Sequence, residues 1–404
     1  MKAGTPGFVG NRLTEAREAR GLTAASLAEL VGVSPQAIAN YEGDVNSPRP
    51  DVMAAISTRL NFPISYFLRP ANGCEKAPIF WRSNASAVKI GRLKAEKRLI
   101  WMREAVEYLG RYFDFPAVDL PDVKVPDDFR ALNSSFIEAV ALSCRKYFGL
   151  GLAPIPDVVE ELEAHGVFVS RISIEFEGLD AFSYWSVDEG RPYVVLGADK
   201  ASAVRSRFDA AHELAHLILH RGVDQKRVNS PADWKLLETQ AHRFASAFLL
   251  PEEAFVHELW APSLDGFLSI KQRWGVSIAA MIKRSSDLGM LSDEQARRMW
   301  INYNRRGWRL SEPLDDSNSI PTEIPQLLRR SFNMLISEKV VRREQIASIL
   351  HLPPNDLEEI LALPNGFLSG HDAEIRALPK FRQNHGGPVH GGGSVVAFSG
   401  RGKR

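Results

Sequence analysis

Residues Ala211–His220 read AHELAHLILH, and no other stretch narrows the fold of this chain so far. Two histidines four residues apart, with a glutamate directly after the first, act together only on a helix. There, positions i and i+4 lie about 40° apart on one face. His212 and His216 can then offer imidazole nitrogens to a single ion. Glu213 projects beside the pair, where its carboxylate can take a proton from water polarised by that ion and later deliver it to a leaving amine. The rest of the helix is apolar, which places it in a core. It follows three β-like segments, GVFVSRISI, AFSYWSV and PYVVLG, and precedes a second helix from Ser230-Pro231 to Leu250, where Pro251 discourages continuation.

A catalytic zinc site needs a third protein ligand and an open fourth position. His220, Glu238 and His242 are the candidates. His220 lies eight residues after His212, about two turns along a continuous helix and too far to close a tetrahedron, and reads as a packed or surface histidine. No glycine lets the chain double back, which argues against an HExxHxxGxxH arrangement. Glu238 lies 22 residues after His216 on the following helix, a separation that leaves room for a loop and an antiparallel return. It is the preferred ligand. His242 shares its face at i+4 and is left as an outer partner, a transition-state donor or a competing ligand. His165, His257 and His351 have no such partners and read as structural.

The first 70 residues form an all-helical pattern, with short apolar-periodic segments separated by Gly and Pro. Thr23 is an N-cap candidate for a helix to about Val31, and Gly32 suits the position after it. Ser34 caps the next helix with Pro35 at its first position. Two short helices joined through VGVS make a helix-turn-helix pattern. On the second helix Gln36, Ala37 and Asn40 fall on or near the exposed leading side, and Gln and Asn can each bind an adenine edge through two hydrogen bonds. Arg17, Arg20 and Arg49 are candidate phosphate contacts. Double-stranded DNA is the implied partner, against the plainer reading of a small bundle that dimerises or binds protein.

With 404 residues the chain has room for two or three domains. Its net charge of +1 gives no global argument for nucleic acid, so a basic surface must be local. Between Arg82 and Arg111 eight basic residues stand against three acidic ones, on a long helical stretch that can supply phosphate affinity or a solvated face. Only Cys74 and Cys144 occur, which supports neither a disulfide framework nor a cysteine zinc site. No apolar leader and no run near 18 apolar residues is present, so a cytoplasmic location and no membrane partner are expected. The predicted organisation is a helix-turn-helix unit over 1–70, a basic helical connector and Pro-rich linker over 71–125, a mixed domain over 126–262, a helical region over 263–375 and a disordered Gly-rich tail over 376–404. No internal repeat is found. The fold class is multidomain and mainly α: an all-α first domain, an α+β zincin-like domain with a small sheet, and a helical C-terminal region.

The chain resembles a fusion of an XRE-type helix-turn-helix regulator with an ImmA/IrrE-family, gluzincin-like metallopeptidase. The first likeness rests on RLTEAREARGLTAASLAELVGVSPQAIANYEGDVNSPRPDVMAAIS, within about 11–68, and the second on RSRFDAAHELAHLILH followed by ETQAHRFASAFLLP, within about 133–262. The flanking FWRSNAS, WGVSIAAMIKRSSDLGMLS and RGWRLSEPLD are similar to segments of the same fused subgroup. The resemblance implies Glu238 as third ligand, from an ExxAxxFAxxLLxP-like element. It also implies narrow proteolysis of a repressor that induces stress or mobile-element genes. Two positions depart from the pattern: Ala24 stands where a phosphate-contacting Gln is usual, and Ala215 where Gly often precedes the second histidine. By analogy with zinc peptidases of this fold, a substrate segment is expected to pair with a sheet edge near Phe182–Ser186 or Tyr193–Gly197. Tyr184, His242 and Arg243 are candidates to stabilise the oxyanion. Zn2+, with Mn2+ as the other possibility, is the expected cofactor, and a homodimer is expected because such regulators read paired half-sites. The alternative function is a transcription factor whose metal pocket senses a metal or ligand and cuts nothing; a toxin-antitoxin component is a third reading.

Overall fold

A four-stranded sheet separates two hydrophobic cores, and the way the chain passes between them decides where the histidine helix sits. The structure, a computed structural model, describes residues 4–71, 79–81, 88–174, 180–199, 202–228, 230–259, 261–316 and 318–369. The tail expected over 376–404 and most of FWRSNAS lie outside them.

The N-terminal unit comprises α1 (Gly10–Ala19), α2 (Ala24–Val31), α3 (Pro35–Glu42) and α4 (Pro50–Leu60) around Leu13, Leu27, Ile38, Ile56 and Tyr66. Its helix ends are set by local chemistry. The Thr23 hydroxyl accepts from the Ser26 N–H at 3.0 Å, Gly32 ends α2 in the left-handed region at φ 70°, and the Ser34 hydroxyl accepts from the Ala37 N–H at 3.2 Å. These three features produce the tight turn between α2 and α3.

The next helix, α5 (Val88–Leu109), buries Leu99, Trp101, Met102, Ala105 and Leu109 and acts as a spine for the first core. Its basic residues do not form a solvated face. Lys97 pairs with Glu18 of α1 at 3.1 Å, Arg103 with Glu189 at 2.7 Å, and Arg98 with Asp356. The proline-rich stretch after it contains no helix or strand over 114–126, yet it is packed: Phe115 meets Phe168 edge-on, and Val123 and Val125 touch the second core. It passes so close to Gly166 (φ +80°) that a Cβ there would sit 2.4 Å from the Ala117 carbonyl oxygen, a position only glycine fills.

After α6 (Ser134–Tyr147) and α7 (Val158–Ala164) the sheet is completed. Its strands are β1 (Ile79–Trp81), β2 (Phe168–Ile172), β3 (Ala181–Ser186) and β4 (Arg191–Gly197), in the spatial order β1-β3-β4-β2. β4 runs antiparallel to β3 and parallel to β2, and β1 is antiparallel to β3. Strand alternation sends Phe168, Ile172, Phe182, Tyr184, Tyr193 and Val195 into the first core, and Val169, Ala181, Val194 and Leu196 into the second. Neither segment expected to receive a substrate strand is an open edge. β4 lies between β3 and β2, and β1 covers β3 at Phe182, Ser183 and Tyr184.

The second core is built from α6, α7, α8 (Ala203–Leu219), α9 (Gln225–Val228), α10 (Pro231–Leu249), α11 (Glu252–Glu258), α12 (Leu264–Trp274), α13 (Ile278–Asp287) and α14 (Asp293–Arg305). The chain then returns to the first core through α15 (Leu327–Ser337), α16 (Ile346–Leu350) and α17 (Pro354–Ile360). The helical stretch read from the sequence as one region after 263 thus divides between the two cores. Asp356 of α17 binds both Arg20, directly after α1, at 2.7 Å, and Arg98 of α5, so the N-terminal unit is tied to α17.

The return is also held by Glu163 of α7, whose carboxylate accepts from the backbone N–H groups of Gln326 and Leu327 at 2.8 and 3.1 Å, at the start of α15. Burial pushes this carboxyl up to about 7, against the pull of those two N–H groups. The folded state therefore holds a proton that the unfolded chain releases near pH 4.3, and stability falls as pH rises from about 4.3 to about 7. Glu163→Gln keeps an acceptor for both N–H groups and removes the ionisation. Its stability is expected to gain on the wild type by about 2–3 kcal/mol between pH 5 and pH 8, seen as a growing difference in melting temperature. A difference between the two that stays constant with pH would contradict this.

Candidate metal centre

The helix α8 is buried over nearly its whole length because the sheet packs on one side and α10 on the other. His212, Glu213 and His216 are 1, 1 and 2% exposed, and Glu238 on α10 is 8% exposed. The antiparallel return brings these residues together. The Nε2 atoms of His212 and His216 are 3.1 Å apart, and Glu238 places Oε2 3.5 Å from the first and Oε1 3.4 Å from the second. Neighbouring ligands of a tetrahedral ion held at 2.0–2.1 Å are separated by about 3.3 Å, so the triangle has the size of one tetrahedral face. Two imidazole nitrogens facing each other at this distance repel unless a cation or proton lies between them. The residues present therefore fit a divalent ion.

Electrostatics favours the same arrangement. Burial lowers His212 to about 3, against the pull of Glu238, so its imidazole stays neutral and keeps a lone pair. Burial alone would raise the Glu238 carboxyl, yet the two imidazoles that face it, of His212 and His216, hold it well below the usual carboxylate range. A neutral imidazole and an anionic carboxylate are the forms in which these side chains bind a metal.

His242 lies beside the centre. Its ring lies 4.7 Å from that of His212, and its ligand nitrogen belongs to a looser group with those of His212 and Glu238, all within 4.8 Å of one another. It is half-buried and lines a cavity of about 880 Å³ whose wall also includes Asn133, Phe208, Asp209, Arg243 and Lys283. Arg243 is held in that wall by Glu138 at 2.5 Å and by Asp287 at 3.6 Å. Tyr184 is placed elsewhere: it points to the face of the sheet away from α8, 1% exposed, with Arg103 over its ring. The sheet lies between it and the centre, which removes it from the oxyanion candidates.

His220, which the spacing argument leaves without a role, is fully buried and touches the centre indirectly. Its Nδ1 is 2.9 Å from Nδ1 of His216, and its Nε2 is 3.0 Å from Oε1 of Gln240. The available signal was the second repeat of the four-residue spacing, His216 to His220. Nothing in the sequence singled out Gln240.

In the helix-turn-helix unit, Gln36 is exposed and donates to Asn40 Oδ1 at 3.0 Å, while Ala37 and Asn40 are half-buried. Arg49 is exposed beside Asp51 at 2.9 Å. Arg17 and Arg20 are engaged within the fold. Arg17 binds Glu42 at 2.5 Å and the Leu22 carbonyl at 2.7 Å, and Arg20 binds Asp356 and the Leu60 carbonyl and lies over Phe62. Neither guanidinium points freely outward to a phosphate.

A histidine-glutamate triangle on two helices beside a small sheet, with a helix-turn-helix unit ahead of it, defines a DNA-binding type of protein carrying a metallopeptidase-like domain. Comparison with protein families agrees. A model described as an IrrE N-terminal-like domain, of the M78 peptidases, matches residues 162–286, and a model described as helix-turn-helix matches residues 13–67. The two matched segments, in this order, correspond to the fusion of an XRE-type helix-turn-helix domain with an IrrE/ImmA-like peptidase domain that the sequence resembles. No curated protein sequence matches it. Among the described residues no helix is long and apolar enough to cross a membrane.

Proposed function

We propose that the chain is a cytoplasmic, homodimeric transcription regulator carrying a zinc-dependent endopeptidase, which cleaves a repressor or other regulator in a stress or mobile-element response. The observation that carries this reading is the closed triangle of His212, His216 and Glu238 with an intact Glu213 next to the first histidine. A pocket that only sensed metal would have little chemical need for that glutamate. Two imidazoles and a carboxylate suit zinc, with manganese as the second choice. The bound ion would supply Lewis-acid polarisation of water and of the scissile carbonyl.

The chain's own residues account for the rest. Glu213, buried at 1%, is the general base that takes the proton from water and then the acid that gives it to the leaving amine. His242, half-buried at the cavity, donates to the developing oxyanion, and Arg243, fixed by Glu138, orients substrate along the wall. A cavity of about 880 Å³ beside the centre has room for a short peptide segment rather than a folded protein surface. This favours a substrate that presents an extended or locally unfolded loop.

The test is a comparison of new protein N-termini in cells carrying wild type with cells carrying Glu213→Gln, across inducing stresses. Termini present only with the wild type identify the substrate and the cut bond. Identical sets of termini, with promoter occupancy retained, would turn the reading to a metal-bearing transcription factor that does not cut.

On DNA, Gln36, Ala37 and Asn40 on α3 are assigned to the base edges and Arg49 to the backbone. Gln36→Ala is expected to weaken binding to a selected operator by about 1–3 kcal/mol and to relax specificity at one position. Arg49→Ala should weaken all sequences alike and make the salt dependence shallower. Fluorescence anisotropy on fragments selected from genomic DNA checks both. Equal loss on operator and random DNA for Gln36→Ala would move base reading to another residue.

A further inference from the structure

We propose that His220 and Gln240 are positioning residues that hold His216 in the one tautomer able to bind a metal ion. The inference rests on the reading of His212, His216 and Glu238 as ligands and extends it to how the second histidine is prepared.

Hydrogen-bond polarity fixes each proton along this chain of side chains. Gln240 is 2% exposed, and its Nε2 faces two backbone carbonyls, of Phe129 at 2.7 Å and Leu132 at 3.4 Å. Carbonyl oxygens only accept, so the amide nitrogen must be the atom turned toward them. That leaves Oε1 against Nε2 of His220 at 3.0 Å. An amide oxygen also only accepts, so His220 Nε2 carries the hydrogen. His220 is fully buried, and with its one hydrogen placed on Nε2 the neutral ring presents a lone pair at Nδ1.

His216 Nδ1 lies 2.9 Å from that lone pair, and two nitrogens at this distance need one hydrogen between them. Only His216 can supply it. A neutral His216 with its hydrogen on Nδ1 has a bare Nε2, the atom that points at His212 and Glu238. This is the opposite of the tautomer that free histidine prefers. The chain of hydrogen bonds from the Phe129 and Leu132 carbonyls therefore sets the lone pair before any ion arrives, which lowers the reorganisation needed on binding. It also fixes α8 to α10 and to the turn ahead of α6, where Leu132 lines the cavity.

The test uses the full-length protein in two measurements. Zinc affinity is measured by competition with a chromophoric chelator. The tautomer of His216 is read from ring 15N resonances of the metal-free protein, assigned by single histidine replacements. His220→Phe is expected to weaken zinc about 10–100-fold. His220→Asn, whose Oδ1 can accept from His216 Nδ1, should recover most of that loss. The metal-free wild type should show His216 protonated on Nδ1, and His220→Phe should shift it toward the Nε2 form.

A wild-type His216 protonated on Nε2 would overturn the proposal. So would a Phe variant that binds zinc as tightly as the wild type, or an Asn variant as weak as Phe, which would reduce the contact to packing. If His220→Phe fails to fold, the wild-type spectrum and the Asn variant still decide. Absence of zinc binding in the wild type would overturn the ligand reading alone, because the tautomer is read without metal.

Discussion

Glu213→Gln is expected to bind zinc as the wild type does and to lose peptide-bond cleavage by about two to four orders of magnitude, the range of a positioned general base. The separation follows from geometry. The three ligand atoms belong to His212, His216 and Glu238, and Glu213 belongs to none of the three sides of that triangle. Glutamine fills the same buried space and can accept a hydrogen bond, but it cannot take a proton from water at neutral pH. The measurement is paired: zinc content after dialysis, and single-turnover cleavage of whichever substrate the comparison of N-termini yields. Loss of zinc together with activity would mean that Glu213 supports the site structurally. Retained activity would move the base elsewhere, with His242 the next candidate.

Glu238→Ala is expected to abolish tight metal binding, with a loss well beyond the ten- to hundredfold that an outer partner accounts for. Glu238 supplies the only anionic charge in the triangle, and without it two neutral imidazoles face the ion alone. Removing it also takes away a carboxylate that the two histidines stabilise in the fold, so the metal-free variant should melt somewhat below the metal-free wild type. The contrast appears on adding zinc. At 100 times its dissociation constant an ion stabilises the wild type by about 2.7 kcal/mol, and the variant should gain nothing at the same concentration. An equal zinc-dependent rise in melting temperature in both proteins would show that the ion binds elsewhere.

Much of the centre was legible from spacing, since the i, i+4 geometry of a helix is nearly invariant and an HExxH histidine pair can meet only one way. Glu238 followed from the length of an antiparallel return, which a loop of ordinary size allows. Cap residues such as Thr23, Gly32 and Ser34 were legible for the same reason, because their chemistry is confined to one turn.

What sequence spacing missed depends on contacts between distant segments. His220 lies too far along α8 to be a ligand, and its role appears only when Gln240 and the carbonyls of Phe129 and Leu132 are brought around it. Arg17 and Arg20 look available for phosphate in a run of charges, but Glu42 and the remote Asp356 take them up. Tyr184 lies on a strand that packs against α8, yet period-two alternation turns it to the other core. The pairing of the three-residue β1 with β3 could not be read from local pattern, because so short a strand carries no periodicity.

The most direct test of the account is anomalous scattering from crystals of the full-length protein grown with zinc, recorded above and below the zinc absorption edge. The account predicts one dominant peak about 2.0–2.1 Å from Nε2 of His212, Nε2 of His216 and a carboxylate oxygen of Glu238. A dominant peak ligated by other residues, or no peak at this triangle with zinc in excess, would contradict it.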